Sequence, residues 1–555
     1  MFSTIRKVKI MIKFDQRVRM NDGVELSCDV YITSTGPAPT ILFRTPYGKE
    51  DTERVESALE FQRKGFNFVS CDVRGRGDSE GKFIPYMNEG ADGVTLIEWC
   101  SKQPWCDGNV FTWGASYSAR VQWLTALRKP EALKGMISIV SPSDPFVENP
   151  TCTPSPTYIS WLFSISGHVM QNMNLVDMKA VYESLPFIKL DEKTGRNIPF
   201  WKEMVKNEPG SSFWNPLFYQ KKLNTLDLPV MHISGWYDDE QIGTFINYKG
   251  MKEASMSSFS RDSQKIIIGP WPHGVNRTEI LGRLNFGKDS ILDLVSEECK
   301  WIENIISKRS EDSQAKIFIM GINRWFDFKQ WPLDNVDTIE YFLRSQGSAN
   351  GKYGDGVLSM IKPDYKERDD SFSYDPMKPV PYLGTDSFSQ MGGPDDYSEI
   401  EKRKDVLVYT TEPFEKELII LGKVSAHLFV ETSAPDTDVT VKLLDVWPDG
   451  YAQRLLDNIC RLSYRDGPEV RYEHSENRKM HIELDLWNTG HLVKPEHSLR
   501  VEISSSAFPK YARNQNISGI QWNTEKFAVA HQKVYHGIDF PSRLCLSTIK
   551  RESVM

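Results

Sequence analysis

Over the first 145 residues the hydrophobic and polar positions change period repeatedly. Val24 to Ile32 alternates every second residue, the spacing of a half-buried strand. Pro39-Thr-Ile-Leu-Phe43 is a short apolar run that ends at a Pro-Tyr-Gly turn. Glu53 to Arg63 sets Val55, Ala58, Leu59 and Gln62 on one side of a helix. Phe66 to Asp72 predicts a further strand, Gly90 to Ser101 a helix, Asn109 to Trp113 a strand, Tyr117 to Arg128 a helix and Leu133 to Val140 a strand. Short strand–helix units of this kind predict a parallel sheet with helices on both faces.

The alternation lapses over 146–222, which holds prolines, aromatics and helix-compatible stretches. It resumes at Pro229 to Ser234 and Lys265 to Gly269. The segment 146–222 therefore reads as an insertion in an α/β domain, of the sort that forms a lid over a site. After about 335 the character changes to short alternating runs: Ile339 to Leu343, Val406 to Tyr409, Ile419 to Val430, Val439 to Val446, Met480 to Leu486 and Leu499 to Ser504. These predict an all-β unit. The expected division is 1–145 and 223–334 for the two parts of the α/β domain, 146–222 for the insertion and 335–555 for the β domain.

Composition narrows the function classes. Of 555 residues, 26% are charged and 40% hydrophobic, which is an ordinary globular balance. Sixty-seven Lys and Arg against 75 Asp and Glu leave a net charge of −8, so there is no basic excess to neutralise nucleic-acid phosphates. Eight cysteines without a C-x-x-C pair read as reduced thiols in a reducing compartment. Arg6, Lys7, Lys9 and Lys13 break every apolar stretch at the start, so no signal-peptide core forms there, and Met11 is as good a start as Met1. The uncharged stretch from Asn149 to Val176 is too rich in prolines and polar residues to span a membrane. A cytoplasmic protein with no membrane contact is expected.

The candidate chemistry lies at strand ends. Gly114-Ala-Ser116-Tyr-Ser118 runs from a strand into a helix and fits G-x-S-x-G except at its last position, where serine is still small. A serine on that turn exposes its hydroxyl at a helix N-terminus, and the free N–H of Tyr117 faces a developing oxyanion. A hydroxyl needs a base and the base needs an orienter, in the chain order Ser, Asp, His for this fold. Asp238 and His273 each sit on a turn just past a strand that ends in glycine. Asp239 and Glu240 compete with Asp238, and one carboxylate is expected to point at the imidazole. His232 and His427, inside predicted strands, read as structural. Gly75-Arg-Gly77-Asp-Ser-Glu-Gly81 lacks phosphate-loop spacing and reads as a loop, with Asp72, Arg74 and Arg76 tying its neighbours by ion pairs.

Arg44-Thr-Pro-Tyr47, Asp72-Val-Arg-Gly-Arg-Gly-Asp-Ser-Glu-Gly81, Trp105-Cys-Asp-Gly-Asn-Val110, Gly114-Ala-Ser-Tyr117, Gly235-Trp-Tyr-Asp238 and Gly269-Pro-Trp-Pro-His273 come in the order of the cocaine-esterase-like hydrolases. The chain resembles this CocE/NonD family, which is related to X-prolyl dipeptidyl peptidases and α-amino-acid ester hydrolases. Downstream, Met320-Gly-Ile-Asn-Arg-Trp325, Thr432 to Asp438, Asp445 to Gly450 and Ser504 to Pro509 resemble its later segments, so the likeness covers nearly the whole chain. The resemblance implies an α/β-hydrolase fold with an inserted helical cap and a C-terminal β jelly roll. It implies Ser116 as nucleophile, Asp238 as orienter and His273 as base. It further implies the Tyr47 hydroxyl as an oxyanion donor beside the Tyr117 N–H, where the residues alone also allow a packed tyrosine. It implies no metal and no cofactor.

Esters, amides and peptides are all open as substrates. Glu240, two past the triad Asp, resembles the acidic residues with which amino-acid ester hydrolases hold an ammonium. Gln241 leaves that cluster incomplete unless Glu148 or Asp239 adds to it. The aromatic and Met-rich stretch 158–175 reads equally as lid packing or as a substrate wall, with Trp161 and His168 as its candidate contacts. An X-prolyl-type peptidase, an amino-acid ester or β-lactam acylase, an acyltransferase and an inactive binding protein remain alternatives. The jelly roll offers a surface for self-association.

Overall fold

A computed structural model describes residues 11–34, 36–309, 313–384, 392–473 and 475–553. The first ten residues, on which the signal-peptide reading and the Met1 start rest, lie outside the described residues. The first sheet is built from β1 (Met11–Arg19), β2 (Glu25–Ile32), β3 (Ala38–Thr45), β4 (Asn67–Asp72), β5 (Cys106–Ala115), β6 (Leu133–Ile139), β7 (Val230–Gly235) and β8 (Lys265–Gly269). After a short ribbon of β9 (Ile280–Leu281) and β10 (Leu284–Asn285), it is completed by β11 (Ala315–Ile319) and β12 (Arg324–Phe328). Its order is β1-β2-β4-β3-β5-β6-β7-β8-β11-β12. The strands from β4 to β11 run parallel, and β2, β1 and β12 are antiparallel at the edges.

Successive residues on one strand face opposite sides of this sheet. Leu42, Val110, Met136 and Val230 pack with α2 (Glu89–Ser101) and α3 (Tyr117–Ala126) through Leu96, Ile97, Trp123 and Leu124. The next residues along, Phe43, Phe111, Ile137 and Met231, pack on the other face. There they meet Ala58 and Phe61 of α1, which spans Thr52–Arg63, and Trp301 and Ile302 of the helix Leu294–Ile306. Both faces are covered, as the alternation of elements predicts, and the fold is that of an α/β-hydrolase.

The strands that pattern reading overlooked have physical reasons. Most side chains of the edge strand β1 are exposed or half-buried, so no apolar stripe marks it, and β12 is likewise a half-exposed edge. Between β6 and β7 the chain leaves the sheet, and its regular elements there are all helical. The longer ones are α4 (Tyr158–Ser164), α5 (Met178–Glu183), α6 (Leu190–Lys193) and α7 (Pro199–Lys206). This cap packs through Trp161, Leu162, Trp201 and Trp214 onto Tyr117 and Val121 of α3. His232 is buried in β7, where Gln264 holds its Nε2 at 3.1 Å and burial lowers it to about 4.

The C-terminal unit is a second sheet. Its strands are β13 (Asp337–Arg344), β14 (Val357–Ser359), β15 (Asp370–Tyr374), β16 (Leu407–Thr410), β17 (Leu418–Thr432), β18 (Asp438–Val446), β19 (Ala452–Arg461), β20 (Met480–Val493), β21 (Ser498–Ser504), β22 (Ala530–Tyr535) and β23 (Arg543–Ile549). His427 is half-buried within β17. β19 escaped the pattern because all ten of its residues are buried, although five are charged or polar in type (Gln453, Arg454, Asp457, Asn458, Arg461). Arg454 pairs with Asp457 and Arg461 with Asp438 at 2.7 and 2.8 Å, so burial and polarity coincide. The two units meet where Met320 and His491 bridge and where Gln453 Nε2 donates to the Tyr237 hydroxyl. Among the described residues no helix is long and apolar enough to cross a membrane.

One buried carboxyl beneath the sheet links fold to pH. Glu298 accepts a hydrogen bond from Trp113 Nε1 at 3.1 Å, and burial pushes it up to about 8. A folded state that holds this proton more tightly than the unfolded chain loses stability as pH rises from the ordinary carboxylate range towards 8. Glu298→Gln keeps the acceptor but cannot ionise. Its melting temperature should match the parent near about pH 5 and exceed it by about 2 °C or more at about pH 8.5. Parallel curves across that range in calorimetry would contradict the account.

Candidate active site

The order of the first sheet reverses at β3 and β5, since the chain goes from β3 to β4 on one side and returns to β5 on the other. A crevice opens at the carboxyl ends of such strands. Tyr47 follows β3, Ser116 follows β5, Asp238 follows β7 and His273 follows β8, so four distant segments deliver side chains to one place.

Ser116 has φ 57° and ψ −122°, a backbone state that side chains rarely adopt. The neighbours explain how it is held. A Cβ on Gly114 would stand 2.6 Å from Cβ of Ser118 and 3.3 Å from the Phe43 ring, so residue 114 must be glycine. Ser118 is buried and donates through Oγ to the Arg44 carbonyl at 2.6 Å. Serine in place of the usual second glycine thus fits and ties the elbow to the end of β3. The Ser116 N–H is spent on the Ile139 carbonyl at 2.9 Å. That of Tyr117, first in α3, has no intrahelical acceptor.

Arg44 anchors the same corner by donating to Glu89 at 2.9 Å, to the Val121 carbonyl at 3.0 Å and to Thr125 at 2.8 Å. Beyond it, Tyr47 Oη accepts from Trp161 Nε1 at 3.0 Å. An indole N–H can only donate, so the tyrosine's own proton stays free for the cavity. Burial raises this hydroxyl to about 12, which keeps it protonated. Arg74 makes the expected ion pairs, with Asp92 and Asp22, each at 2.7 Å. Arg76 does not. It is buried, has no carboxylate within salt-bridge reach among the described residues, and donates to the carbonyls of Pro46 and Ile165 at 2.6 and 2.8 Å. Its role is to brace the Tyr47 turn against the cap.

The turns after β7 and β8 interlock. A Cβ on Gly235 would meet the Trp271 carbonyl at 2.0 Å, and one on Gly269 would enter the Trp271 ring at 2.3 Å. The two glycines let the Trp236 N–H reach the Gly269 carbonyl and the Tyr237 N–H reach that of Trp271. This fixes Asp238 against His273. Asp238 Oδ1 lies 2.9 Å from His273 Nδ1 and also accepts from the Glu240 N–H, while Oδ2 accepts from Ser234 Oγ at 2.6 Å. A single carboxylate at the imidazole was expected, yet Asp239 and Glu240 stand 3.5 and 3.9 Å from the same Nδ1. Burial alone would lower His273, but Glu240, Asp238 and Asp239 outweigh it and raise the imidazole to about 10. Burial pushes Asp239 up to about 6 and Glu240 well above the carboxylate range. Asp238, Asp239 and His273 gather donor atoms within 4.8 Å, a spacing a cation could use. Here Nδ1 and Asp238 are spent on each other.

A cavity of about 1080 Å³ covers these residues, and its wall includes Ser116, Tyr117, Tyr47, His273, Glu240 and Trp161. Ser116 and His273 face the same space without a hydrogen bond between them among the described residues. Glu148 also lines it, with its carboxyl accepting from the Ser143 N–H at 2.6 Å and pushed up to about 7 by burial. His168 is a correction. It lies on the exposed stretch after α4, outside the cavity wall, and contributes its carbonyl to the Gly77 N–H at 2.7 Å. Sequence reading missed Arg120, one helical turn after Ser116, and the wall from the C-terminal unit: Tyr382, Phe508, Lys510 and Tyr511. The Ser504 to Pro509 segment was the one available signal for that wall, and spacing along the chain could not place it here.

Two comparisons match the chain by family profile. Residues 22–275 match the X-Pro dipeptidyl-peptidase S15 family and residues 309–545 the X-Pro dipeptidyl-peptidase C-terminal non-catalytic domain. The chain is similar to a cocaine esterase of Rhodococcus sp. (strain MB1 Bresler), 31% identical over 96% of this chain and 98% of that one. In fold it is similar to an aminopeptidase from a marine sediment Thaumarchaeota archaeon (TM-score 0.86, 22% identity, 99% of this chain and 98% of that one). It is equally similar to an α-amino acid ester hydrolase (TM-score 0.85, 21% identity, the same coverage).

The elbow's packing generates a test. Gly114→Ala should lower stability well beyond Ser118→Ala, which loses one buried hydrogen bond and costs about 1 kcal/mol. Denaturant titration of both variants checks the order. An alanine at 114 that leaves the midpoint unchanged would mean the close approach is not there.

Proposed function

Since the chain belongs to the CocE/NonD family of serine hydrolases, we propose that it cleaves ester or amide acyl bonds with Ser116 as nucleophile, His273 as base and Asp238 as the orienting carboxylate. The observation that carries this reading is the 2.9 Å contact between Asp238 and His273, on the wall of the cavity that the strained Ser116 also lines. Asp238 accepts a hydrogen bond from Nδ1–H, which fixes the tautomer and leaves Nε2 as the basic nitrogen. As Ser116 Oγ adds to the acyl carbon, its proton passes to Nε2 and the carbonyl becomes an oxyanion. The Tyr47 hydroxyl and the Tyr117 N–H donate to that oxyanion. Collapse expels the alcohol or amine, which takes the proton from Nε2 and leaves an acyl-Ser116 ester. Water then repeats the sequence and frees the acid.

Within this chemistry the acidic corner favours substrates that carry an amine near the scissile carbonyl. Glu240 Oε2 and Asp239 Oδ1 are buried without a hydrogen-bond partner among the described residues, and a substrate ammonium would supply one. It would also stabilise the ionised carboxylates, so their protons would leave as substrate binds and the imidazole would be freed for its work. All eight cysteines are thiols and seven are buried, which supports a cytoplasmic setting. An acyltransferase would use the same steps with a second nucleophile in place of water. A catalytically dead binding protein has less support, because His273 keeps its 2.9 Å contact with Asp238 and lines one cavity with Ser116.

Ser116→Ala should abolish both fluorophosphonate labelling and turnover of p-nitrophenyl esters, and undiminished labelling would sink the nucleophile. Tyr47→Phe should cost roughly 10²–10³ in kcat, the effect of losing one oxyanion donor. Glu240→Gln removes a carboxylate that holds the imidazolium, so the acid limb of kcat/KM should move to lower pH. The same variant should narrow the rate difference between aminoacyl and simple acyl esters. Equal rates for the two ester classes in the parent enzyme would dismiss the amine preference.

A further inference from the structure

Among the cavity residues from the C-terminal unit, Lys510 alone carries a charge. It follows β21 in the segment Phe508-Pro-Lys-Tyr511, and its side chain is largely buried. Nζ lies 2.7 Å from Asp457 on β19 and over the rings of Tyr382, Tyr511 and Trp487, at 4.8, 5.2 and 5.6 Å from their centres. Asp457 is also claimed by Arg454 at 2.7 Å, so two cations share that carboxylate. Lys510 and Asp239 line the same cavity, so the ammonium favours the ionised form of that carboxyl and the carboxylate favours the ammonium.

We propose that Lys510 is a positioning residue for the reaction, a cation that the C-terminal unit sets on the wall of the cavity that Asp239, Glu240 and His273 also line, to offset the carboxylates crowded round His273. The inference rests on His273 being the base. Three carboxylates lie within 4 Å of the imidazole Nδ1, and unopposed they would hold protons at a pH where the base must be free. Each proton lost from this cluster leaves one more negative charge. A buried cation nearby stabilises that charge, so Lys510 lowers the pH at which the proton departs, whichever atom carries it. The charged and titratable groups facing Lys510 are Asp457, Arg454 and Asp239, with the Tyr382 and Tyr511 hydroxyls. Those facing His273 are Asp238, Asp239 and Glu240, with Glu148 behind Glu240. The domain whose family profile is described as non-catalytic thereby contributes to the electrostatics of catalysis.

The test is the pH profile of kcat/KM for the full chain on a neutral p-nitrophenyl ester, with Ser116→Ala as the control. Lys510→Met should move the acid limb up by about half a pH unit or more. Lys510→Arg should leave it in place, and Asp457→Asn, which frees Lys510 of its partner, should move it down. A purely structural lysine would lower the rate without moving the limb. A Lys510→Met profile that superimposes on the parent, or a Lys510→Arg limb displaced as far as that of Lys510→Met, overturns the proposal. If Lys510→Met fails to fold, an Asp457→Asn limb that stays or rises overturns it. Parent activity that survives Ser116→Ala would instead defeat the underlying triad.

Discussion

The site depends on a backbone constraint: residue 116 must hold a positive φ at the point where a strand becomes a helix. Left to itself that conformation costs on the order of 1–3 kcal/mol. It persists because the space around it is filled. Gly114 leaves no room between Ser118 and Phe43, and Ser118 is tethered to the Arg44 carbonyl. Arg44 is in turn locked between α2 and α3. The strain therefore belongs to an assembly that includes the end of β3, and Tyr47 stands three residues past Arg44. The proposed nucleophile and the proposed oxyanion donor are set by one packing problem.

The interlocked turns after β7 and β8 solve the complementary problem. Asp238 and His273 are 35 residues apart, yet Gly235 and Gly269 bring their turns together round the backbone and ring of Trp271. A side chain at either glycine would part them. The two glycines were visible in the sequence as strand ends, which is why the positions of Asp238 and His273 could be read. The tryptophan that both accommodate was visible only as part of a motif.

Local periodicity made seven strands of the first sheet and three of the helices on its faces legible, because buried faces there repeat at fixed intervals. It missed β11 in the first sheet and β14, β15, β22 and β23 in the second, and also β1 and β12, whose edge position exposes most of their side chains, and β19, half of whose buried residues are charged or polar. Trp161 showed a like limit. It was expected to meet substrate, and it lines the cavity, but its indole N–H is committed to Tyr47. His168 looked equivalent on the page of the sequence, and the chain turns it outward a few residues later. Composition cannot tell these two apart, because what separates them is the end of α4 at Ser164.

The missed strand bears on the site. Lys442–Glu502, Arg454–Asp457 and Arg461–Asp438 are buried pairs, and such pairs add little net stability because desolvation offsets their attraction. What they do impose is geometry, since a guanidinium and a carboxylate tolerate few relative placements. Arg461 also donates to Thr153 of the cap, and Gln453 donates to Tyr237, the residue before Asp238. Polar side chains of β19 therefore reach the cap and the turn that carries Asp238 at once, which apolar side chains of equal volume could touch but not align. The rim of a cavity assembled from two sheets and a cap needs that alignment, because each wall is carried by a different stretch of chain. A strand illegible by hydrophobic pattern is thus the one whose buried charges hold the separate walls in register.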